Sequence, residues 1–201
     1  MFNSFDLLRQ GFGMFKDDWL TRLKSWPIAI AIIFLLPFDL AAQTPSATEY
    51  QLKAAFIYNF TRFVDWPPSP TPRSNTAPFV ISVLNEDRLA DRILELVKGE
   101  QLNGRPIIVR RLDNRSEITN CNILYVSVRD ASDMKNQLTA INRRGILTVS
   151  DNPNFARWGG LVRFFKEDNK LRMQINIEQA RAARFSMSSK LLSISSIYDS
   201  K

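Results

Sequence analysis

The side chains that most often carry chemistry are few in this chain, and their scarcity narrows what it can do. It has no histidine, which removes a Ser-His-Asp triad, a Cys-His pair and any imidazole-bound metal. Cys121 is the single cysteine, so thiolate zinc and iron–sulfur sites are excluded and no intrachain disulfide can form. The carboxylates of Asp151, Glu167 and Asp168 could in principle serve acid–base or calcium chemistry. Glu167-Asp168-Asn169 reads better as a hairpin turn, because Asp and Asn are residues that turns use. The glycines beyond residue 42 (Gly99, Gly104, Gly145, Gly159, Gly160) form neither a G-x-G-x-x-G nor a Walker loop. The chain thus offers no catalytic constellation, no cofactor loop and no metal-ligand set.

What remains is binding chemistry. A small ligand would belong in the crevice at the carboxyl ends of parallel strands, where Asn85, Asp113, Ser127, Ser150 and Asp151 could converge on it. The plainer role of those residues is helix capping and loop satisfaction. For a protein partner, Tyr58 and Arg62 stand one turn apart on the polar face of a helix, with Trp66 a further turn along at its margin. These three residue types are enriched in interface hot spots. Arg157-Trp158-Gly159-Gly160 is a second candidate surface. Its paired glycines allow close backbone approach or a positive φ, and Arg157 with Trp158 could clamp a partner. The same four residues also fit a structural turn in which Trp158 plugs the sheet edge.

These groups must be positioned by recognisable elements. Tyr50 to Pro67 packs Tyr50, Phe56, Tyr58, Phe60, Phe63 and Trp66 into one helix-length stretch. Thr48 followed by Gln51 is a capping-box pattern, and Pro67-Pro68 cannot continue a helix, so the spacing predicts a first helix over 48–66. At 100° per residue Leu52, Phe56, Ile57, Phe60, Phe63 and Val64 form a core arc. Gln51, Tyr58, Thr61, Arg62 and Asp65 lie opposite. Lys53 falls on the apolar arc, where its stem can run along apolar surface with the ammonium in water. The sharper alternative is an ion pair with a buried carboxylate.

Residues 67–78 hold five of the ten prolines and read as a stiff, extended connector. From Phe79 short apolar strands alternate with helical patterns. Strands are predicted at Phe79–Leu84, Pro106–Leu112, Asn122–Ser127 and Gly145–Val149, with helices near Asp87–Lys98 and Ser132–Asn142 and a short crossing between Asp113 and Asn120. Gly160–Lys166 and Lys170–Asn176 read as a hairpin, followed by helices at Ile177–Phe185 and Ser189–Tyr198. The fold class is therefore α/β: a mostly parallel sheet flanked by helices, with a C-terminal β-hairpin and an N-terminal aromatic-rich helix. Cys121 opens an apolar strand and reads as a buried small hydrophobe.

Lys16, Arg22 and Lys24, then the apolar run Pro27 to Phe38, then Leu40-Ala41-Ala42 follow the layout of a secretory signal, with cleavage expected after Ala42. The apolar run is shorter than the roughly 20 residues a bilayer span requires. An uncleaved anchor is the competing reading, and Met14 would give a more typical leader than Met1. The segment 1–42 is charge-balanced, so the net charge of +7 belongs to 43–201, read as a single α/β domain with its core at 79–198. For an exported chain nucleic acid is an unsuitable partner. The basic excess points to anionic headgroups, an acidic protein surface or cell-wall polymer, or serves solubility.

The order Lys-Ala-Ala-Phe, Tyr-Asn-Phe and Asp-Trp-Pro in the first helix resembles the opening of the YfiR family. The similarity continues through Cys-Asn-Ile-Leu-Tyr-Val-Ser at 121–127, Gly-Ile-Leu-Thr-Val-Ser-Asp at 145–151, Gly159-Gly160, Ile175-Asn176 and Ser188-Ser189-Lys190-Leu191-Leu192. The resemblance implies a periplasmic regulatory protein, not an enzyme. Such a protein docks on the periplasmic sensor domain of an inner-membrane diguanylate cyclase and restrains it, lowering cyclic di-GMP and biofilm formation. It also implies a homodimer and an outer-membrane lipoprotein that sequesters the regulator. Family members with paired cysteines differ from this chain, which has only Cys121. A periplasmic small-molecule sensor or solute-binding domain using the strand-end crevice is the alternative.

Overall fold

The computed structural model describes residues 46–68, 77–118 and 120–199. The expected signal segment 1–42 and the connector at 69–76 lie outside the described residues.

The first helix, α1 (Ser46–Phe63), is followed by a two-residue strand, β1 (Val64–Asp65). Helix α1 is already under way at Ser46, so Thr48 lies inside it, and it stops three residues before Trp66. The cause is β-pairing: Val64 and Asp65 align antiparallel with Met187 and Ser186 of β9 (Ser186–Met187).

The main sheet begins with β2 (Phe79–Leu84), buried along its whole length as a central strand must be. Helix α2 (Asp87–Leu96) returns the chain through the small hairpin β3 (Gln101–Leu102) to β4 (Arg105–Leu112), parallel to β2. A single 3-10 turn at Arg115–Glu117 makes the expected short crossing. The chain then passes to the other side of β2 as β5 (Ile123–Val126). Two short helices, α3 (Val128–Asp133) and α4 (Leu138–Arg143), lead to β6 (Leu147–Ser150). Strand β7 (Val162–Glu167) joins β6 in parallel and turns back antiparallel as β8 (Lys170–Ile175). Helix α5 (Ile177–Ala182), β9, helix α6 (Ser189–Ser193) and β10 (Ser196–Ile197) end the domain. The strand order is β10-β8-β7-β6-β5-β2-β4-β3.

Alternation along the strands separates two cores. Ile81 and Val83 of β2, Ile123 and Tyr125 of β5 and Phe164 of β7 face α1, α2, α5 and α6. Val80, Leu84, Leu124 and Val126 face α3 and α4 on the other side. Cys121 is buried in this second core, as expected.

Later helices also differ from the sequence expectation: α5 stops at Ala182, short of the expected Phe185, because Arg184 takes a positive φ and Ser186–Met187 pair with β1. The pattern Ala131, Met134, Leu138, Ile141 keeps helical spacing, and so 132–142 reads as one helix. The backbone instead starts earlier, because Ser127 caps α3, and turns at 134–137, where the Gln137 N–H donates to the Met134 carbonyl at 2.7 Å. The last helix stops at Ser193, and the Ser195 hydroxyl donates to the Leu191 carbonyl at 2.7 Å, competing with the backbone for it. Residues 196–197 are thereby released to extend the sheet beside β8. The hairpin turn appears as expected, with Asp168 and Asn169 both at positive φ (48° and 60°).

Candidate functional site

The densest polar cluster lies where the first turns of α1 meet the carboxyl ends of β5 and β6. Lys53 is only 3% exposed. Its ammonium donates to Asp151 Oδ2 at 2.5 Å and approaches Glu49 Oε1, one helical turn back, at 2.5 Å. Glu49 also holds Lys166 of β7 at 2.6 Å. The Lys53 ammonium is therefore not in water, and the ion pair with a carboxylate replaces the solvated-head arrangement. The other carboxylate oxygen, Asp151 Oδ1, is buried without a hydrogen-bond partner. Beneath it sits Tyr125, whose burial, and then Asp151, push its phenol strongly upward. Burial also raises Tyr50, assisted by Glu86.

The cluster titrates as its charges dictate. Burial pulls Lys53 down, but Asp151 and Glu49 outweigh it, leaving the ammonium above its ordinary value. Burial raises Glu49, but Lys166 and Lys53 together bring it below the usual carboxylate range. These attachments rotate the buried stripe of α1 onto Lys53, Ala54, Ile57, Phe60 and Thr61, which Val64 of β1 continues. Leu52, expected in the core, is consequently 45% exposed. Thr61, expected on the polar face, is buried and donates to the Tyr58 carbonyl at 2.7 Å.

The order β4-β2-β5 reverses direction at β2, so the switch point of the sheet lies between the ends of β2 and β5. Asn85 and Ser127 stand there and both donate to Asp130 Oδ2, Asn85 at 2.9 Å. The Ser127 hydroxyl also caps α3 by accepting from the Asp130 N–H. Burial would raise the Asp130 carboxyl, but its hydrogen bonds from Ser127 and Asn85 hold it below the ordinary range. Ser150 accepts from the Asn152 N–H at 3.2 Å. Of the five crevice candidates, four thus have polar partners within the protein, and Asp113 is exposed at the end of β4. Ser127→Ala is expected to cost about 1 kcal/mol of stability through the lost cap, read as a lowered thermal midpoint; a shift within error would assign the capping to other groups.

The stretch 151–160 is pinned by three buried asparagines. Asn142 donates to the Gly159 carbonyl at 2.7 Å, Asn152 to the Val128 carbonyl at 2.9 Å and Asn176 to the Ala156 carbonyl at 2.8 Å. Within it Arg157 is exposed, whereas Trp158 is half-buried against the second core. Gly159 takes φ 94°, and Gly160 lies against the Phe155 ring.

On α1, Tyr58 and Arg62 form a connected surface group. The Tyr58 hydroxyl donates to Glu100 at 2.7 Å and accepts from Arg62 at 3.1 Å, with the Arg62 guanidinium 5.1 Å from the Tyr58 ring centre. Trp66 is set apart from them, because β1 intervenes. It packs edge-on to Phe79 and Phe185 and donates its indole N–H to the Asn122 carbonyl at 3.2 Å.

Glu49, Tyr125, Lys166, Glu100 and Asp130 were not singled out from the sequence. Two had a local signal: Glu49 stands four residues before Lys53, and Asp130 stands three after Ser127, an S-x-x-D capping pattern. Tyr125, Lys166 and Glu100 are joined to their partners only by the tertiary fold. Among the described residues no group of three or more His, Cys, Asp and Glu is placed to hold a metal ion. No described helix is long and apolar enough to cross a membrane.

A family model described as YfiR/HmsC-like matches residues 50–196. No curated protein matches the chain.

Proposed function

The chain belongs to the YfiR/HmsC-like family, and from that premise we infer that it is an exported regulatory binding protein that restrains an inner-membrane diguanylate cyclase. It acts in the periplasm after removal of residues 1–42. It docks on the periplasmic sensor domain of the cyclase and holds it in a low-activity state, lowering cyclic di-GMP and biofilm formation. It functions as a homodimer, and an outer-membrane lipoprotein competes for it. The observation that carries the docking reading is the linked pair of half-buried Tyr58 and exposed Arg62, an aromatic and a guanidinium held in register on one helix face. Trp66, set apart by β1 and packed on Phe79 and Phe185, is a separate contact with its half-buried ring, and Arg157 with Trp158 forms a further contact region. Release follows when a partner or ligand favours the unbound state by differential affinity.

The alternative, a small-molecule sensor using the strand-end crevice, has less support. Its candidate groups Asn85, Ser127, Ser150 and Asp151 already have partners inside the protein.

Deleting the gene is expected to raise cyclic di-GMP in the host. Tyr58→Ala and Arg62→Ala are expected to reproduce part of that rise, since truncating a hot spot costs about 2 kcal/mol, or roughly 30-fold in affinity. Arg62 is exposed, so its variant should keep a thermal midpoint near that of the parent, whereas Tyr58 is half-buried against the first core. Arg62→Ala therefore separates lost docking from lost stability. An unchanged cyclic di-GMP level after deletion would exclude the regulatory role. A rise on deletion that neither substitution reproduces would move the contact to Arg157 and Trp158.

A further inference from the structure

The second core covers β2, β4 and β5 with α3 and α4 and contains no residue of β7 or β8, and the polar residues Thr148 and Ser150 of β6 are buried on the same side. On that side of the hairpin the outward positions are Arg163, Phe165 and Glu167 on β7, opposite Gln174, Arg172 and Lys170 on β8. An α/β sheet ordinarily buries both faces under helices. Here, among the described residues, the outward face ends in three cations, one carboxylate and a half-exposed aromatic ring.

The two arginines are held differently. The Arg163 guanidinium lies 4.8 Å from the Phe165 ring centre, and its Nη1 donates to the Pro153 carbonyl at 2.8 Å. Its Nε–H is buried with no hydrogen-bond partner. This resting pose leaves a desolvated donor unpaired, a cost removed when the guanidinium turns onto a carboxylate that can take two of its N–H groups. Arg172, opposite Phe165, stays about half exposed with its Nε 3.5 Å from Glu167. A surface ion pair of that length contributes little and exchanges readily for a better one.

We propose that the outward face of β7 and β8 is a docking surface for an acidic protein segment, with Arg163 and Arg172 receiving carboxylates and Phe165 receiving an apolar side chain between them. Charge complementarity selects the partner: the face carries an excess of positive charge, so a second copy of the same face would be repelled. A fixed arginine stacked on an aromatic reads carboxylate geometry, whereas attraction to a lipid surface needs only the summed charge. Strands of six residues present about 20 Å of surface, enough for one extended or helical segment of a partner. The surface is on the sheet face opposite α1, so it stands or falls independently of Tyr58 and Arg62.

The test uses the purified protein and a fluorescein-labelled peptide of alternating glutamate and valine, followed by anisotropy, with phosphatidylglycerol vesicles in a parallel sedimentation assay. The peptide is expected to bind, more weakly as salt rises. Arg163→Gln and Arg172→Gln should each weaken it about tenfold, the loss expected for a hydrogen bond to a charged group. Arg143→Gln on α4 should leave it unchanged. If Arg163→Gln lowers the thermal midpoint, Arg172→Gln decides alone, because its side chain is 47% exposed. The proposal is overturned by absence of peptide binding, by equal weakening in Arg143→Gln, or by vesicle binding that depends on these arginines while the peptide does not bind. Self-association abolished by the same variants, without peptide binding, also overturns it.

Discussion

Lys53→Ala is expected to destabilise the domain by about 3–5 kcal/mol, the usual cost of removing one member of a buried ion pair. The ammonium bridges Asp151 and Glu49, so its removal leaves two carboxylates facing each other, one with an oxygen already buried and unpaired. For a domain of this size the loss corresponds to a fall of about 10 °C in the thermal midpoint. The double variant Lys53→Met with Asp151→Leu should recover much of it, because an apolar pair of similar volume avoids the buried charge. A single-variant loss below about 1 kcal/mol, the level of surface ion pairs, would mean that water reaches the cluster. The pH dependence has two limbs. Lys53 is raised, so its contribution is complete below its ordinary 10.5 and is lost as pH climbs through its higher folded value. Glu49 is lowered, so its contribution is complete above 4.5 and is lost as pH falls through its lower folded value. Stability from this cluster is therefore flat across neutrality.

Gly160→Ala is expected to be comparably severe. A Cβ there would stand 2.3 Å from two ring carbons of Phe155, which is wholly buried and cannot swing away. Overpacking of this kind costs about 1–3 kcal/mol and occasionally more, and the contact is well inside van der Waals distance. Phe155→Ala alone should cost about 3–5 kcal/mol by opening a cavity. Combined, the two should cost clearly less than their sum, because the methyl occupies part of the vacated space. Strict additivity in denaturant melts would show that the ring is not the obstacle. Gly159→Ala should also destabilise, since φ 94° is strained for any side chain.

The strands were legible because their apolar runs are short and separated by turn residues. Phe79–Leu84 agrees residue for residue, and the hairpin turn at Asp168-Asn169 follows from residues that tolerate positive φ. The glycine pair at 159–160 also does both things its type permits: one residue takes a positive φ, the other a close approach. Failures arose where tertiary contacts overrode local pattern. Periodicity continued through 134–137 although the backbone did not, and the pairing of Val64 with Met187 ended α1 early. At the site, Asp151 was identifiable as a strand-end carboxylate, but its partner was not. Nothing in the chain near Lys53 announces a residue 98 positions away, so the ion pair remained one of two readings until the sheet placed them together.

The clasp between the beginning and end of the domain bears on how it folds. Beyond the pairing of β1 with β9, the Ser188 N–H donates to the Phe63 carbonyl at 2.9 Å, and Lys53 and Glu49 reach β6 and β7. Helix α1 packs against α2, which follows it closely in the chain. The pairing of β1 with β9 and the ion pairs of α1 with Asp151 and Lys166, however, come only from chain made long after it. A nascent chain holding α1 through β5 lacks every one of these later partners, and closing so long a loop comes late because its entropy must be overcome before the contacts form. Synthesis alone cannot lock the domain until its last few dozen residues arrive. Until β7 is made, Phe56 and Phe60 of α1 lack the Phe164 ring they pack against and are open to any chaperone that holds the chain unfolded.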